Sequence, residues 1–575
     1  MGAFFLLRGE RTPPLEATLF DELGRQGFRP PRRFEAAGCR IYLYGKLQSD
    51  HVNAYQAAPQ SFCLSVGTFF YRGAIGCRAL EQFHADFRPA AIPWDDIAGQ
   101  FCLIVAKDGA VHLLTDRIGL YKTYRNVDAS LVTSSFLAAA AAAETLTIVP
   151  QSLYEYVLVG APFANRTIFD EIELVDPDTL LCIRPDGVAS TQLAPVPHDW
   201  RRGSFAELLE INLATLRRYF AMLADAFGAR ISTGLSGGYD SRLMLALLRA
   251  CGVSPYVFVY GTEHDCDVQV ARQIADGERF PLHHTDKRAA AQIGPDQFAA
   301  LVESNLRFFD GYPYGGIFDD GADVRTRRDR CAHGELTLNG MAGELYRKPD
   351  LPNRPFTVRE VVWRYYCGFD PAVCTARFHP AAYCDALTRK ISTTLRAETD
   401  ELARSDFTWI IPAFYARYWS GGTVSVNNRL SPALLPFCDL PIVREAVRLP
   451  IAYRYYGRFE AALIEALDPR LAAYRSGYGH DFASPPPLAN IVSEWRATVR
   501  PPVYYRFTAR PQAEHPYYLA APYVGAVLDA SFPYLRHYFH LDRVRDAHQY
   551  NRICTLEYLF QRHSARDSEA TLETR

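Results

Sequence analysis

The chain has 575 residues, 49% hydrophobic and 22% charged, more than one hydrophobic core usually serves, so at least two globular domains are expected. Lys and Arg total 62 against 64 Asp and Glu, a formal net charge of −2, which excludes a global field drawing the protein to nucleic acid or an anionic membrane. Thirteen cysteines occur without a C-x-x-C pair or a Cys/His cluster, a pattern that fits buried small side chains in a reducing compartment better than a disulfide framework.

"MGAFFLLRGE" has too short an apolar run, broken by Arg8, for a signal peptide or a spanning helix, and Leu6 stands where a myristoylation signal has Ser or Thr. A cytoplasmic protein is expected. Up to about residue 195, the short runs "FCLSVGTFFYRG", "QFCLIVAKDG" and "AVHLLTD" are separated by Gly, Asp and Asn turns, as antiparallel strands are. The alanine run 138–143 lies inside a longer apolar segment and reads as helix. "APVPHDWRRG" marks a boundary near residue 200. From "SFAELLEINLATLRRYFAMLADAF" onward the spacing is helical, and strands then alternate with helices. Beyond residue 355, "VREVVWRYYCG", "IVREAVRLP" and "YNRICTLEYLFQRH" read as helices and "SARDSEATLETR" as a polar tail. There is no internal repeat.

The chemistry concentrates in "ARISTGLSGGYDSRLMLALLRACG", residues 229–252. A short buried strand, a glycine turn and a helix start aim backbone N–H groups and the positive end of a helix dipole at one point, where an anion is stabilised. Gly237 and Gly238 let the main chain approach closely, and the hydroxyls of Ser236 and Ser241 add donors. Asp240 would repel a phosphate unless a divalent cation such as Mg²⁺ lay between them. The turn is neither a Walker loop nor a G-x-G-x-x-G fingerprint. "PYVFVYGTEHDCDVQVARQIADGERFPLHHTDK" adds a strand, a helix and a strand, completing a parallel βαβαβ unit. Ligands of such sheets bind beyond the C-terminal strand ends, which would bring Val259, Tyr260 and Gly261 near a nucleotide base.

The S-G-G-x-D-S pattern resembles the PP-loop of ATP pyrophosphatases. With "IAGQFCLIVAKDGAVHLLTDRIGLYKTY", "SSFLAAAA", "FDEIELVDPDTLLCI", "NNRLSPALLPFCDLPIVREAVRLP" and "YRYYGRFEAALIEALDPRLAAYRSGYG" in the same order, nearly the whole chain is similar to class B asparagine synthetases, whose relatives include β-lactam synthetases, carbapenam synthetase and lasso-peptide cyclases. The resemblance implies an α+β Ntn-hydrolase-like glutaminase sandwich over 1–195. An α/β PP-loop synthetase domain would follow over 205–490, with a helical C-terminal extension over 491–575. It implies ATP held by Leu235, Ser236, Gly237, Gly238, Asp240, Ser241, Val259, Tyr260 and Gly340, and Mg²⁺ held by Asp240 and Glu344, which are also the expected catalytic residues.

The chain departs from that family at defined points. It begins Met-Gly where a working glutaminase begins Met-Cys, and Val66 and Thr68 in "VGTFFY" replace the Asn and Glu that would hold glutamine. No glutamine hydrolysis is expected, and Asp116 and Arg117 of "TDRIG" are expected to form a structural ion pair. In "LNGMAGELYR", residues 338–347, Gly343 stands where the family has a metal-binding Asp, with Glu344 next to it. "RSGYGH" lacks the family lysine; Arg475, His480, Arg242 and Lys287 are the candidates for the missing charge. The implied activity is an ATP-dependent, AMP-forming amide ligase that activates a carboxylate as an acyl-adenylate for attack by an amine, in one substrate or between two. Alternatives are an ammonia-dependent asparagine synthetase and a nucleotide-binding pseudoenzyme. Expected partners are small-molecule or peptide carboxylates and amines, with no nucleic acid and no membrane; a homodimer is left open.

Overall fold

The computed structural model describes the chain except residues 10–12, 290–291, 348–355, 398, 508–514 and 568–575. The first part is built from two antiparallel sheets. One has six strands in the order Ile172–Leu174, Tyr124–Asn126, Leu131–Thr133, Ala3–Arg8, Cys39–Tyr44, Arg32–Ala36. The other runs Gly187–Gln192, Thr179–Arg184, Ala110–Thr115, Ile97–Lys107, Ser61–Tyr71, Ala54–Ala58, with Ala74–Ile75 added on Ser61–Tyr71. Side chains alternate between faces with period two. Phe4, Leu6, Ile41 and Leu43 of the first sheet therefore meet Leu64, Val66, Ile104 and Leu113 of the second in one core. Phe5 and Leu7 point the other way, under Leu19 and Leu23 of the helix Pro13–Arg25. Phe69 and Leu103 lie under Leu80 and Phe83 of the helix Cys77–Asp86. The result is four layers, helix on sheet on sheet on helix. Because both faces of both sheets are covered, the central strands are buried almost throughout.

The second part opens with the helix Phe205–Phe227, started by a capping box in which Ser204 and Glu207 satisfy each other's backbone N–H groups. A five-stranded sheet follows in the order Leu282–Thr285, Tyr256–Tyr260, Ile231–Gly234, Leu336–Leu338, Ala433–Leu434, every pair parallel. The chain adds two strands on one side of Ile231–Gly234 and then crosses to its other side. The end of that strand is therefore the topological switch point, where the two crossovers part and leave a crevice. The helices Tyr239–Ala250 and Arg458–Leu467 pack with Phe205–Phe227 over one face. Val268, Ala271 and Ile274 of the helix Cys266–Glu278 extend the same cover with Leu245 and Leu471 over Val257 and Val259, and the helix Ala322–His333 lies on the opposite face, where Arg330 stands over the Phe258 ring and Cys331 meets Thr337.

The two parts share cores. Phe70, Ala98, Ile118 and Leu120 belong to the same apolar cluster as Leu216, Leu247 and Phe437. The helix Ala547–His563 joins Pro150–Val159 in another. Two expectations are corrected here. Asp116 and Arg117 do not pair with each other: the buried Asp116 accepts the backbone N–H groups of Leu120 and Tyr121, while Arg117 pairs with Asp178 at 3.0 Å. The C-terminal segment is not polar tail from its start, since Arg566–Asp567 forms a parallel bridge pair with Thr147–Ile148; residues 568–575 lie outside the described residues. The cysteines are free thiols, most of them buried. No helix among the described residues is long and apolar enough to cross a membrane.

Candidate functional site

At the switch point the turn 235–238 leads directly into the helix Tyr239–Ala250, whose N-cap, Gly238, carries no side chain to satisfy the first-turn donors. The turn is stiffened internally. The Ser236 N–H donates to Ser241 Oγ at 3.0 Å, the two serine hydroxyls lie 3.0 Å apart, and the Gly238 N–H donates to Ser236 Oγ at 3.3 Å. The Gly237 N–H donates to Asp267 Oδ1 at 2.8 Å, so one anionic oxygen already sits on the turn. Gly477, from a distant loop, donates its N–H to Gly237 O at 2.8 Å. A Cβ on Gly237 would lie 2.9 Å from Gly477 N and 3.1 Å from Asp267 Oδ1, which is why this position tolerates no side chain.

Two cavities meet on this turn. One, of about 450 Å³, is lined by Leu235, Ser236, Asp240 and Ser241, by Val259 and Tyr260 at the end of the neighbouring strand, and by Gly340. The other, of about 530 Å³, adds Gly237 and Gly238, and shares Ser236, Asp240, Ser241, Tyr260 and Asp267 with the first. All nine residues expected to hold a nucleotide thus line one or both spaces. Glu344 lines neither; burial first, then the Asp240 charge, raises its pKa.

Arg347 is the charged group that sequence reasoning missed. It lines the 530 Å³ cavity, and its guanidinium pairs with Asp240 and donates from Nη1 to Tyr478 Oη at 2.9 Å. Its Nε also lies 2.7 Å from Oε2 of Glu460, a wholly buried carboxylate, although the N–H direction makes this an ion contact and not a hydrogen bond. Burial alone would lower the guanidinium pKa, yet Glu460 and Asp240 raise it above its ordinary value. Arg347 follows Glu344 by three residues in a stretch already marked as acidic, so its nearness to the site had a local signal; its pairing with Asp240 did not. Asp267 likewise sits at the start of a helix whose preceding strand borders the turn.

The expected metal arrangement does not fit these residues. Asp240 is engaged by Arg347, and a Cβ on Gly343 would fall 2.6 Å from Asp240 Cγ, leaving no room for a carboxylate there. Among the described residues no three His, Cys, Asp or Glu side chains converge as a metal site. Asp240, one of the two residues expected to hold Mg²⁺, is thus paired with Arg347, and Glu344 lies near enough for the Asp240 charge to raise its pKa. The four proposed stand-in cations also fall elsewhere. Arg242 is wholly buried under Phe482, donating to the Leu471, Tyr474 and Arg475 carbonyls. Lys287 pairs with Asp323, and neither Arg475 nor His480 lines either cavity.

Where the resemblance would place a glutamine site, the fold is filled. A Cβ on Gly2 would lie 2.8 Å from Gly45 O and 3.1 Å from Arg429 O. Asn428, from the second part of the chain, accepts from the buried Lys46 and from Thr68 Oγ1, the latter at 2.7 Å, and Thr68 accepts the Ala433 N–H at 3.1 Å. Burial pushes the Lys46 amine down to about 7. Val66 is fully buried between the sheets.

A third chamber, of about 1120 Å³, is walled by rings including Tyr312, Tyr314, Tyr418, Trp419 and Tyr518. It touches the 450 Å³ cavity at Thr423, which lines both. Arg327 on its wall donates to Asn427 of that cavity at 2.8 Å.

No protein-family description and no curated protein matches the chain. Among solved structures it is similar to the allosteric regulatory enzyme of purine biosynthesis, at 11% identity and a TM-score of 0.24, covering 46% of this chain and 66% of that one. It is also similar to the glutamine phosphoribosylpyrophosphate amidotransferase from B. subtilis complexed with ADP and GMP, at 10% identity and a TM-score of 0.21, covering 49% of this chain and 65% of that one. The chain thus spans just under two thirds of the length of each, and at these scores neither likeness assigns a fold or an activity.

Proposed function

We propose that the turn 235–238 and the helix start behind it bind the phosphate chain of ATP, that a carboxylate substrate captures the AMP unit, and that an amine then displaces AMP to form an amide. In this reading residues 205–490 are a PP-loop synthetase domain of the asparagine synthetase type and 491–575 its helical extension. Residues 1–195 are an Ntn-type glutaminase sandwich that no longer hydrolyses glutamine. One observation carries the reading: nine residues from three separate segments line two joined cavities at the switch point of a parallel sheet.

The chemistry balances in two steps. A carboxylate oxygen attacks the α-phosphorus, the bond to the β-phosphate oxygen breaks, and pyrophosphate leaves. The amine nitrogen then attacks the acyl carbon, AMP leaves with the bonding electrons, and the nitrogen loses a proton. The chain's part is positioning and charge stabilisation: the helix-start N–H groups and the Ser236 and Ser241 hydroxyls hold the departing pyrophosphate, and Val259 and Tyr260 flank the base. Glu344, outside both cavities, has no part in this scheme. The ring-walled chamber meeting the nucleotide cavity at Thr423 favours a carboxylate or amine bulkier than aspartate and ammonia, and so an amide ligase or cyclase over an ammonia-dependent asparagine synthetase.

The test is exchange of labelled pyrophosphate into ATP in the presence of candidate carboxylates, with chromatography of the nucleotide product. Carboxylate-dependent exchange and AMP are expected; ADP as the product contradicts the scheme. A second reading, a nucleotide-binding scaffold without turnover, is favoured by the Asp240–Arg347 pair, which occupies the expected metal ligand. ATP binding without exchange for any carboxylate, aspartate included, would select it.

A further inference from the structure

The disagreement between the expected metal and the residues present leaves a question. Asp240 lines both cavities around a turn suited to anions, and an uncompensated carboxylate there would repel a polyphosphate. We propose that Arg347 is the resident cation of this site, neutralising Asp240 and contacting the phosphate chain, so that the turn binds polyphosphate without a divalent metal. The proposal rests on the reading of the turn as a phosphate site, and departs from the metal-dependent arrangement that the sequence suggested.

Four observations carry it. The guanidinium already stands in the cavity that Gly237, Gly238 and Ser241 line, so no rearrangement of the backbone is needed to bring it to a ligand there. It is held from three sides, by Asp240, by Glu460 and by Tyr478, and its Cζ lies 5.3 Å from the centre of the Tyr239 ring; a planar fork fixed in this way loses little freedom when it meets phosphate oxygens. Gly343 closes the position beside Asp240 to a further carboxylate, so the donor set for a divalent ion is incomplete while the charge to be neutralised is not. Arg330, the other arginine lining these cavities, is directed to Asn427 Oδ1 at 3.3 Å and not to Asp240.

The experiment titrates the full chain with inorganic pyrophosphate by calorimetry, once in EDTA and once in Mg²⁺. Wild type is expected to bind with affinities within about threefold of each other in the two buffers, because a charge-assisted bond from a fixed guanidinium is already in place. Arg347→Gln is expected to weaken binding in EDTA about tenfold or more, and Mg²⁺ to recover part of that loss by occupying the freed Asp240. Arg347→Lys, which keeps the charge and loses the fork, should fall between. Binding by wild type that needs Mg²⁺ overturns the proposal without recourse to any variant, as does an Arg347→Gln protein that binds like wild type. Failure to bind pyrophosphate in either buffer overturns this proposal and the phosphate-site reading together. Metal-independent binding with no carboxylate-dependent exchange leaves the arginine assignment standing and removes only the ligase reading.

Discussion

Two places in this molecule correspond to the two sites expected of the family it resembles, and they differ in one respect: whether space was kept. Around Gly2 and Thr68, Asn428 and Lys46 close the gap between the two parts of the chain, and backbone oxygens occupy the volume a side chain at position 2 would need. Around Gly237, by contrast, two open cavities of about 450 and 530 Å³ persist beside a turn with the same demand for close backbone approach. A buried polar network that satisfies itself stabilises; a helix start that has no side-chain cap and borders open volume is arranged for something else. The first place is therefore a joint between two parts, and the second is the one we propose as a binding site.

That contrast breaks cleanly if it is wrong. Gly237→Ala pushes a methyl group into Gly477 and is expected to reduce ATP affinity by ~10²-fold in calorimetry with little loss of stability; unchanged affinity would remove the turn from the site. Asn428→Leu leaves Lys46 and Thr68 without a buried partner and should cost about 2–4 kcal/mol in chemical denaturation while ATP affinity stays as in wild type. If ATP affinity collapsed in step with stability, joint and site would be one unit. Gly2→Cys should lose about 1–3 kcal/mol by overpacking and release no glutamate from glutamine, whereas measurable glutamate would show that the pocket is still there.

The smallest effect is a pH dependence at the joint. Asp439 accepts the Gly99 N–H and the Tyr219 hydroxyl, both at 2.6 Å, and burial raises its pKa from 3.8 to about 7. Since the folded state holds this proton more tightly than the unfolded one, the contribution to stability is fully present below pH 3.8 and is lost as pH rises through about 7. Asp439→Asn removes that slope. The wild-type advantage over the variant in denaturant midpoint should therefore shrink between these limits, and a constant difference would show that Asp439 titrates normally.

What the sequence revealed follows from how local each signal is. The strand, glycine turn and helix at 231–250 are contiguous, so their spacing alone places the N–H groups; the same holds for the strand Tyr256–Tyr260 and the helix after it. The alanine run folds as the helix Phe136–Ala142 because nothing in it competes with the backbone. Asp240 and Arg347 are 107 residues apart and Gly237 and Asp267 30 apart, and only the sheet order brings them together. Asp116 misled because an Asp followed by an Arg reads as a pair, although adjacent residues on a tight turn point apart and each finds its own partner. Glu460 gave no signal at all: an acid on an amphipathic helix reads as surface, whereas here it is wholly buried, with Arg347 as its ion contact.

The most direct measurement is a crystal structure with a non-hydrolysable ATP analogue. The account predicts its phosphate chain in the cavity lined by Gly237 and Gly238, at the start of the helix Tyr239–Ala250, with Arg347 against a phosphate oxygen and adenine beside Val259 and Tyr260. Nucleotide seated in the ring-walled chamber instead, or no nucleotide density at saturating analogue, would contradict it.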